Sequence, residues 1–106
     1  MLSNKPVSEQ YADAIIEAGK AKVEAMRARK KADRILDACF LAATGKNAEE
    51  RKAHARQDER FKSADLEAEK AELEEIAARS QANALQVAWE SWRTEAANDR
   101  AAMNLR

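Results

Sequence analysis

Two long stretches of this chain place an apolar side chain at alternating steps of three and four residues, the spacing that keeps one face of an α-helix against a partner. In the first, with Tyr11 as position a of a heptad, the a and d sites are Tyr11, Ala14, Ala18, Ala21, Ala25, Ala28, Ala32, Ile35, Cys39 and Ala42, all apolar. In the second they are Phe61, Ala64, Ala68, Ala71, Glu75, Ala78, Ala82, Leu85, Trp89, Trp92 and Ala96, with Glu75 the one charged intrusion. The pattern predicts helix 1 over about residues 9–43 and helix 2 over about residues 48–103. Helix 2 contains neither proline nor glycine, so it is expected to run unbroken for roughly 80 Å.

Between the two runs lies Ala43-Thr44-Gly45-Lys46-Asn47-Ala48-Glu49-Glu50. Gly45 falls where a helix C-terminus favours a residue tolerant of positive φ, and Asn47 with Glu50 reads as an N-cap and its capping-box partner. Helix, turn over 44–47 and helix follow. Residues 1–7 hold the only proline, Pro6, and read as a tail, with Ser8 as the N-cap of helix 1. Gly19 lies inside a helical run and is expected to be tolerated there.

Folding the chain at Gly45 pairs positions whose numbers sum to about 92 or 93, so Ala14 meets Ala78, Ala21 meets Ala71, Ala28 meets Ala64 and Ala32 meets Phe61. Small residues facing one another let antiparallel helices approach closely. The fold class predicted is therefore all-α: a single domain over 1–106, an antiparallel, alanine-rich two-helix hairpin with a long protruding C-terminal helix. On one flank Lys22 lies opposite Glu72 and Arg29 opposite Asp65; on the other, like meets like, Glu17 with Glu74, Glu24 with Glu67 and Lys31 with Arg60. Ile16, Val23, Leu66 and Leu73 fall on the backs of the helices. Either the true seam is rotated toward them, through Ala12, Met26 and Ile76, or they contact neighbouring copies in a homo-oligomer. Lys30 and Asp33 interrupt the rotated seam, which favours neighbours.

Composition supports long helices. Of the residues, 45% are hydrophobic but only 5% aromatic, and 36% are charged, a balance typical of coiled coils and extended helices. Nineteen bases cancel nineteen acids, so a nucleic-acid or membrane partner has to be argued from local charge. One cysteine, Cys39, excludes an internal disulfide, and the opening residues lack the layout of a signal peptide, so a cytoplasmic location is expected. The longest apolar run, residues 38–43, is far shorter than the roughly 20 residues of a membrane span.

Local charge is concentrated. Residues 20–34 hold seven bases and two acids, while 58–75 hold eight acids and three bases. Internal pairing between the two stretches is the plain reading. In the heptad frame, however, Arg27, Lys30 and Arg34 point away from the acidic helix, where a basic surface repeated around an oligomer would suit phosphate backbones. Trp89 and Trp92 lie on the seam face beyond the end of helix 1. They could stack on unpaired bases or, extending a stripe with Leu85, Ala96 and Met103, anchor another chain. Cys39 and His54 fall at facing seam positions, but two ligands make no zinc site and a pair without orienting groups makes no nucleophile. Thr44-Gly45-Lys46 lacks the rest of a phosphate-binding loop. Neither a cofactor nor an enzymatic activity is expected.

Lys30-Lys31-Ala32, Ile35-Leu36-Asp37-Ala38, the Gly45-Lys46 turn and Ala88-Trp89-Glu90-Ser91-Trp92-Arg93 together resemble the small helical recombination mediators of tailed phages, of the UvsY kind. That resemblance implies a non-enzymatic protein of the host cytoplasm that binds single-stranded DNA through basic residues near the turn. It implies assembly as a ring through the C-terminal helix and help to a recombinase in displacing a single-strand-binding protein. Lys30 and Lys31 are the matched DNA contacts; Arg27, Arg29 and Arg34 join them on the residues' own chemistry. The chain departs from the family pattern in having no extended insertion after the turn, which leaves subunit number open. The assembly contacts expected are Ile16, Val23, Leu66, Leu73, Leu85, Trp89, Trp92, Ala96 and Met103. The competing reading is an assembly, scaffold or inhibitor protein that acts through protein contacts alone.

Overall fold

The structure, a computed structural model, describes residues 5–105. It contains three helices, α1 (Val7–Ala42), α2 (Ala48–Gln57) and α3 (Glu59–Asn104), and no strand among the described residues. α1 begins earlier than Ser8 would set it: the Gln10 N–H donates to the Pro6 carbonyl at 3.0 Å, so Pro6 precedes the first turn and Ser8 lies within it. Residues 1–4 of the expected tail lie outside the described residues.

Asn47 caps α2 as its sequence predicts, with extended φ and ψ of −152° and 175° and its side-chain oxygen accepting from the Glu50 N–H at 2.9 Å. The returning arm of the box differs, because Glu50 Oε2 accepts from the Lys46 N–H at 3.4 Å, one residue upstream of the cap. Gly45 corrects a second expectation. It has no positive φ; a Cβ there would sit 3.0 Å from both Cγ and the backbone nitrogen of Arg51. The glycine is needed for close approach of two backbone segments, not for a left-handed conformation. From the far side of this turn the Arg51 guanidinium reaches 5.5 Å from the Phe40 ring centroid, a cation–π distance that ties α2 to the end of α1.

The expected continuous second helix is broken at Asp58. There φ and ψ are −66° and 130°, and the Asp58 N–H closes α2 on the Ala55 carbonyl. Its carbonyl then accepts from the Lys62 N–H at 3.0 Å while Oδ1 accepts from the Arg60 N–H at 2.9 Å. Asp58 therefore serves as the N-cap of α3, with a side-chain acceptor satisfying a donor that the first turn leaves unpaired. An aspartate does here what a proline or glycine does elsewhere.

The chain divides into two compact units, Met1–Gly19 with Ala77–Arg106, and Lys20–Ile76. In the second, Ala32, Ala64 and Ala68 form the core, with Ala28, Ile35 and Phe61 packed against it. Ala28 with Ala64 and Ala32 with Phe61 are pairs expected from the heptads. Ala25, Cys39 and Ala55 are also buried in this unit. In the first unit Ala14 and Ala82 are buried, and Ala14 and Ala78 line one cleft. The buried face follows the alanine seam and not the rotated one, since Ile16, Val23, Leu66 and Leu73 are exposed at 56%, 44%, 66% and 66%. Ala42, at the end of the α1 seam, is exposed.

The charged flanks are resolved differently from the simple opposition of facing positions. Arg29 takes Asp65 as expected, but it also takes Glu72, which the sequence assigned to Lys22. Across the flank where like charges were expected to meet, Lys31 Nζ lies 3.9 Å from Glu67, Glu24 pairs with Arg27 one turn along α1, and Arg60 pairs with Asp58. Long side chains step by about a turn to reach an opposite charge, as helical i,i+3 and diagonal pairs permit.

Candidate nucleic-acid interface

α1 carries the basic residues of 27–34 at three kinds of position. Arg29 lies on the inner flank, where its Nη1 donates to Asp65 at 2.7 Å, its Nη2 to Glu72 at 2.7 Å and its Nε to the other Glu72 oxygen at 3.4 Å. These bonds, that to Glu72 first and that to Asp65 second, raise the guanidinium's pKa above its already high ordinary value. A guanidinium so engaged is a structural clamp. Lys31 is held more loosely, 3.9 Å from Glu67 with both side chains about two-thirds exposed.

Arg27, Lys30 and Arg34 share the opposite side. Their spacing of three and four places them on one stripe of the helix, and all three are exposed. Arg27 has Glu24 at 3.9 Å, a distance at which an exposed pair contributes little. Lys30 and Arg34 form no ion pair among the described residues. Of the five cations expected to contact nucleic acid, the structure thus turns three outward together and commits Arg29 to α3.

The residues expected at assembly contacts are also separable. Ile16, Val23, Leu66, Leu73, Trp92 and Met103 are exposed, whereas Leu85, Trp89 and Ala96 are half-buried. Trp89 and Trp92 stack on one another with ring centroids 5.3 Å apart and planes 13° from parallel. Arg93 places its guanidinium 5.9 Å from the Trp89 ring centroid.

Sequence reasoning missed a polar cluster at the helix break. Cys39 and His54 do come to one cleft of about 270 Å³, but its other polar residues are Thr44, Asp58 and Arg60. His54 Nδ1 lies 2.6 Å from the Thr44 carbonyl oxygen, so that nitrogen carries the proton and donates. Asp58 Oδ1 and Oδ2 accept from Arg60 Nε and Nη2 at 3.1 and 3.0 Å. The Arg60 side chain first, then its backbone N–H, hold the Asp58 carboxyl down at about 2. The available signal was an aspartate, Asp58, two residues ahead of an arginine inside a helical run. No group of three or more metal-ligating side chains occurs among the described residues. No helix among them is long and apolar enough to cross a membrane.

No protein-family model matches the chain, and neither does any curated protein or solved structure.

Proposed function

We propose that this protein is a non-enzymatic, single-stranded-DNA-binding accessory protein of recombination, a phage mediator that helps load a recombinase against a single-strand-binding protein. In this reading α1 and α3 form an antiparallel hairpin whose copies assemble, a ring being one such arrangement, through Ile16, Val23, Leu66, Leu73 and the C-terminal part of α3. One observation carries it: Arg27, Lys30 and Arg34 form an exposed basic stripe on α1, while Arg29 on the inner flank answers the acids of α3. Lys30 and Arg34, with no ion pair among the described residues, and Arg27, with only the loose Glu24 contact at 3.9 Å, are the cations available to phosphates. Repetition of the stripe around an assembly multiplies it into a continuous positive path.

A second reading is favoured by a different observation. Val23, Met26, Leu66, Leu73 and Ile76 are all large, apolar and exposed, more than a solitary chain of this size ordinarily presents. These residues suit a scaffold that works through protein contacts alone.

The deciding experiment reverses charge at the stripe, Arg27→Glu, Lys30→Glu and Arg34→Glu together. Binding of a dye-labelled oligothymidylate is followed by anisotropy at two salt concentrations, with circular dichroism and light scattering on the same samples. Fold and mass should be retained, binding should fall, and the slope of log affinity against log salt should drop by about 2 per chain, at roughly 0.7 for each phosphate no longer neutralised. Unchanged binding by a folded, assembled variant would remove the mediator reading in favour of the scaffold. Wild-type protein that stays monomeric on scattering would remove the assembly.

A further inference from the structure

α2 and the end of α1 line a cleft of about 260 Å³, each helix giving it three side chains. Leu36 and Phe40 are half-buried and Ala55 is buried, whereas Asp37, Lys52 and Arg56 are exposed. The cleft therefore has an apolar floor and a charged rim of two bases and one acid. None of those three charges forms an ion pair among the described residues. A nucleotide fits it poorly, because the edges of a base would lie against Leu36, Phe40 and Ala55 without hydrogen-bond partners and Asp37 would repel the phosphate. An apolar side chain set among two acids and one base matches both floor and rim.

α3 carries such a side chain on its back. Leu73 is 66% exposed, and Ile76, one turn on, is exposed beside it. Helical spacing puts Glu69 and Lys70 one turn before Leu73, with Glu74 on its flank. All three are exposed, and they too form no ion pair among the described residues. Two acids and one base around an apolar knob thus mirror two bases and one acid around an apolar hole. Val23, at the matching heptad position of α1, has Lys20 and Arg27 one turn to either side. It would bring bases to bases, so the match belongs to Leu73.

Resting on the assembly proposed above, we infer that the α1–α2 cleft of one copy receives Leu73 of a second copy, with Glu69 and Glu74 meeting Lys52 and Arg56 and Lys70 meeting Asp37. Knob and hole both lie in the unit Lys20–Ile76 but share no residue, so each copy gives one knob and receives one. A reciprocal pair or a closed ring satisfies every copy in this way. Burial of Leu73 supplies the hydrophobic gain, and the reversed rims fix which surface meets which. Arg27, Lys30 and Arg34 take no part in the contact.

The test is a charge exchange followed by light scattering over a dilution series of the full-length chain, with circular dichroism on the same samples. Lys52→Glu with Arg56→Glu sets acids against acids, and Glu69→Lys with Glu74→Lys sets bases against bases. Each pair of changes should raise the concentration at which the assembly half-dissociates by about ten-fold or more, with helix content kept because all four positions are exposed. All four changes in one chain restore opposite signs across the contact and should return the midpoint toward that of wild type. Should that chain lose its helical signal, an equal mixture of the two pair variants makes the same test, since each supplies the surface that the other needs. Pair variants that dissociate like wild type overturn the knob and hole, leave the cleft to another occupant and leave assembly to the other exposed surfaces. Weakened pair variants that neither the four-fold variant nor the mixture rescues overturn it too, as the loss then comes from something other than this contact. Wild-type protein that is monomeric throughout overturns this contact and the proposed assembly together.

Discussion

Replacing Arg29 by alanine removes three hydrogen bonds at once, two at 2.7 Å and one at 3.4 Å, and leaves Asp65 and Glu72 without their shared cation. Treated as an ordinary exposed pair, such a change would cost a few tenths of a kcal/mol. The structure argues for more, because the guanidinium binds both Glu72 oxygens and bridges to a second carboxylate two turns away along α3, and the three side chains are only 34%, 33% and 43% exposed. Charge-assisted bonds of this kind contribute roughly 1.5–3 kcal/mol each when shielded, and partial exposure screens them well below that. The expected loss is about 1–2 kcal/mol, read as a fall in Tm of about 4–8 °C for each kcal/mol. Arg29→Ala, Glu72→Ala and their combination form a cycle whose coupling should be about 0.5–1 kcal/mol. The guanidinium's pKa is raised, so its contribution is complete below the unfolded-state value and is lost only in strong alkali. The difference between wild type and Arg29→Ala should therefore stay constant from neutral pH to about pH 10. A loss within about 0.3 kcal/mol, with no coupling, would refute the clamp and return Arg29 to the solvated basic face.

Gly45→Ala should destabilise the chain by about 1 kcal/mol in a thermal melt, because the new Cβ meets the Arg51 backbone nitrogen at 3.0 Å and a backbone cannot swing aside as a side chain can; an unchanged or raised Tm would show that the turn has room. Asp58→Ala should remove the stop between α2 and α3, and spin labels at positions 52 and 62 should then report the roughly 15 Å of ten continuous helical residues, whereas an unchanged distance would place the cause of the break elsewhere. The wild-type carboxyl is held down at about 2, so its stabilisation is complete above the ordinary carboxylate range and is lost as pH falls through about 2. An acid transition in the label distance between about pH 4 and pH 2 should accordingly appear in wild type and be missing from Asp58→Ala.

The seam was legible because it is a period. Tyr11 to Cys39 hold an apolar face over four heptads and Phe61 to Ala82 over three, broken only by Glu75, and spacing of that length points to helix. Asn47 was legible because its cap is local, one side chain answering a backbone group three residues on. Asp58 was not, since the same residue type sits harmlessly inside helices and only its surroundings, with Arg60 and Cys39 beside it, decide that it caps. The division of the basic cluster was half legible. Heptad position turns Arg27, Lys30 and Arg34 outward, but which acid Arg29 takes depends on side-chain reach, and there Glu72 went to Arg29 and not to Lys22. Gly45 shows the same limit. A glycine at a turn signals that a side chain is unwelcome, but not whether the reason is the dihedral angle or a neighbour.

The proposed assembly rests on the balance between buried and exposed apolar side chains. Among the described residues they are seven alanines and one cysteine, each removing little apolar surface from water at about 25 cal/mol per Å². Set against them are Ile15, Ile16, Val23, Met26, Leu66, Leu73 and Ile76, all exposed, each worth about 1.5–3 kcal/mol if fully covered. Most of the hydrophobic free energy available to these helices therefore lies outside the chain's own core. In the proposed assembly such residues would be covered by neighbouring copies, so folding and assembly would stabilise one another. The narrow alanine seam acquires a purpose in that setting. It brings two helices close with little bulk between them, leaves their backs free for neighbours, and keeps the stripe of Arg27, Lys30 and Arg34 outside the alanine core.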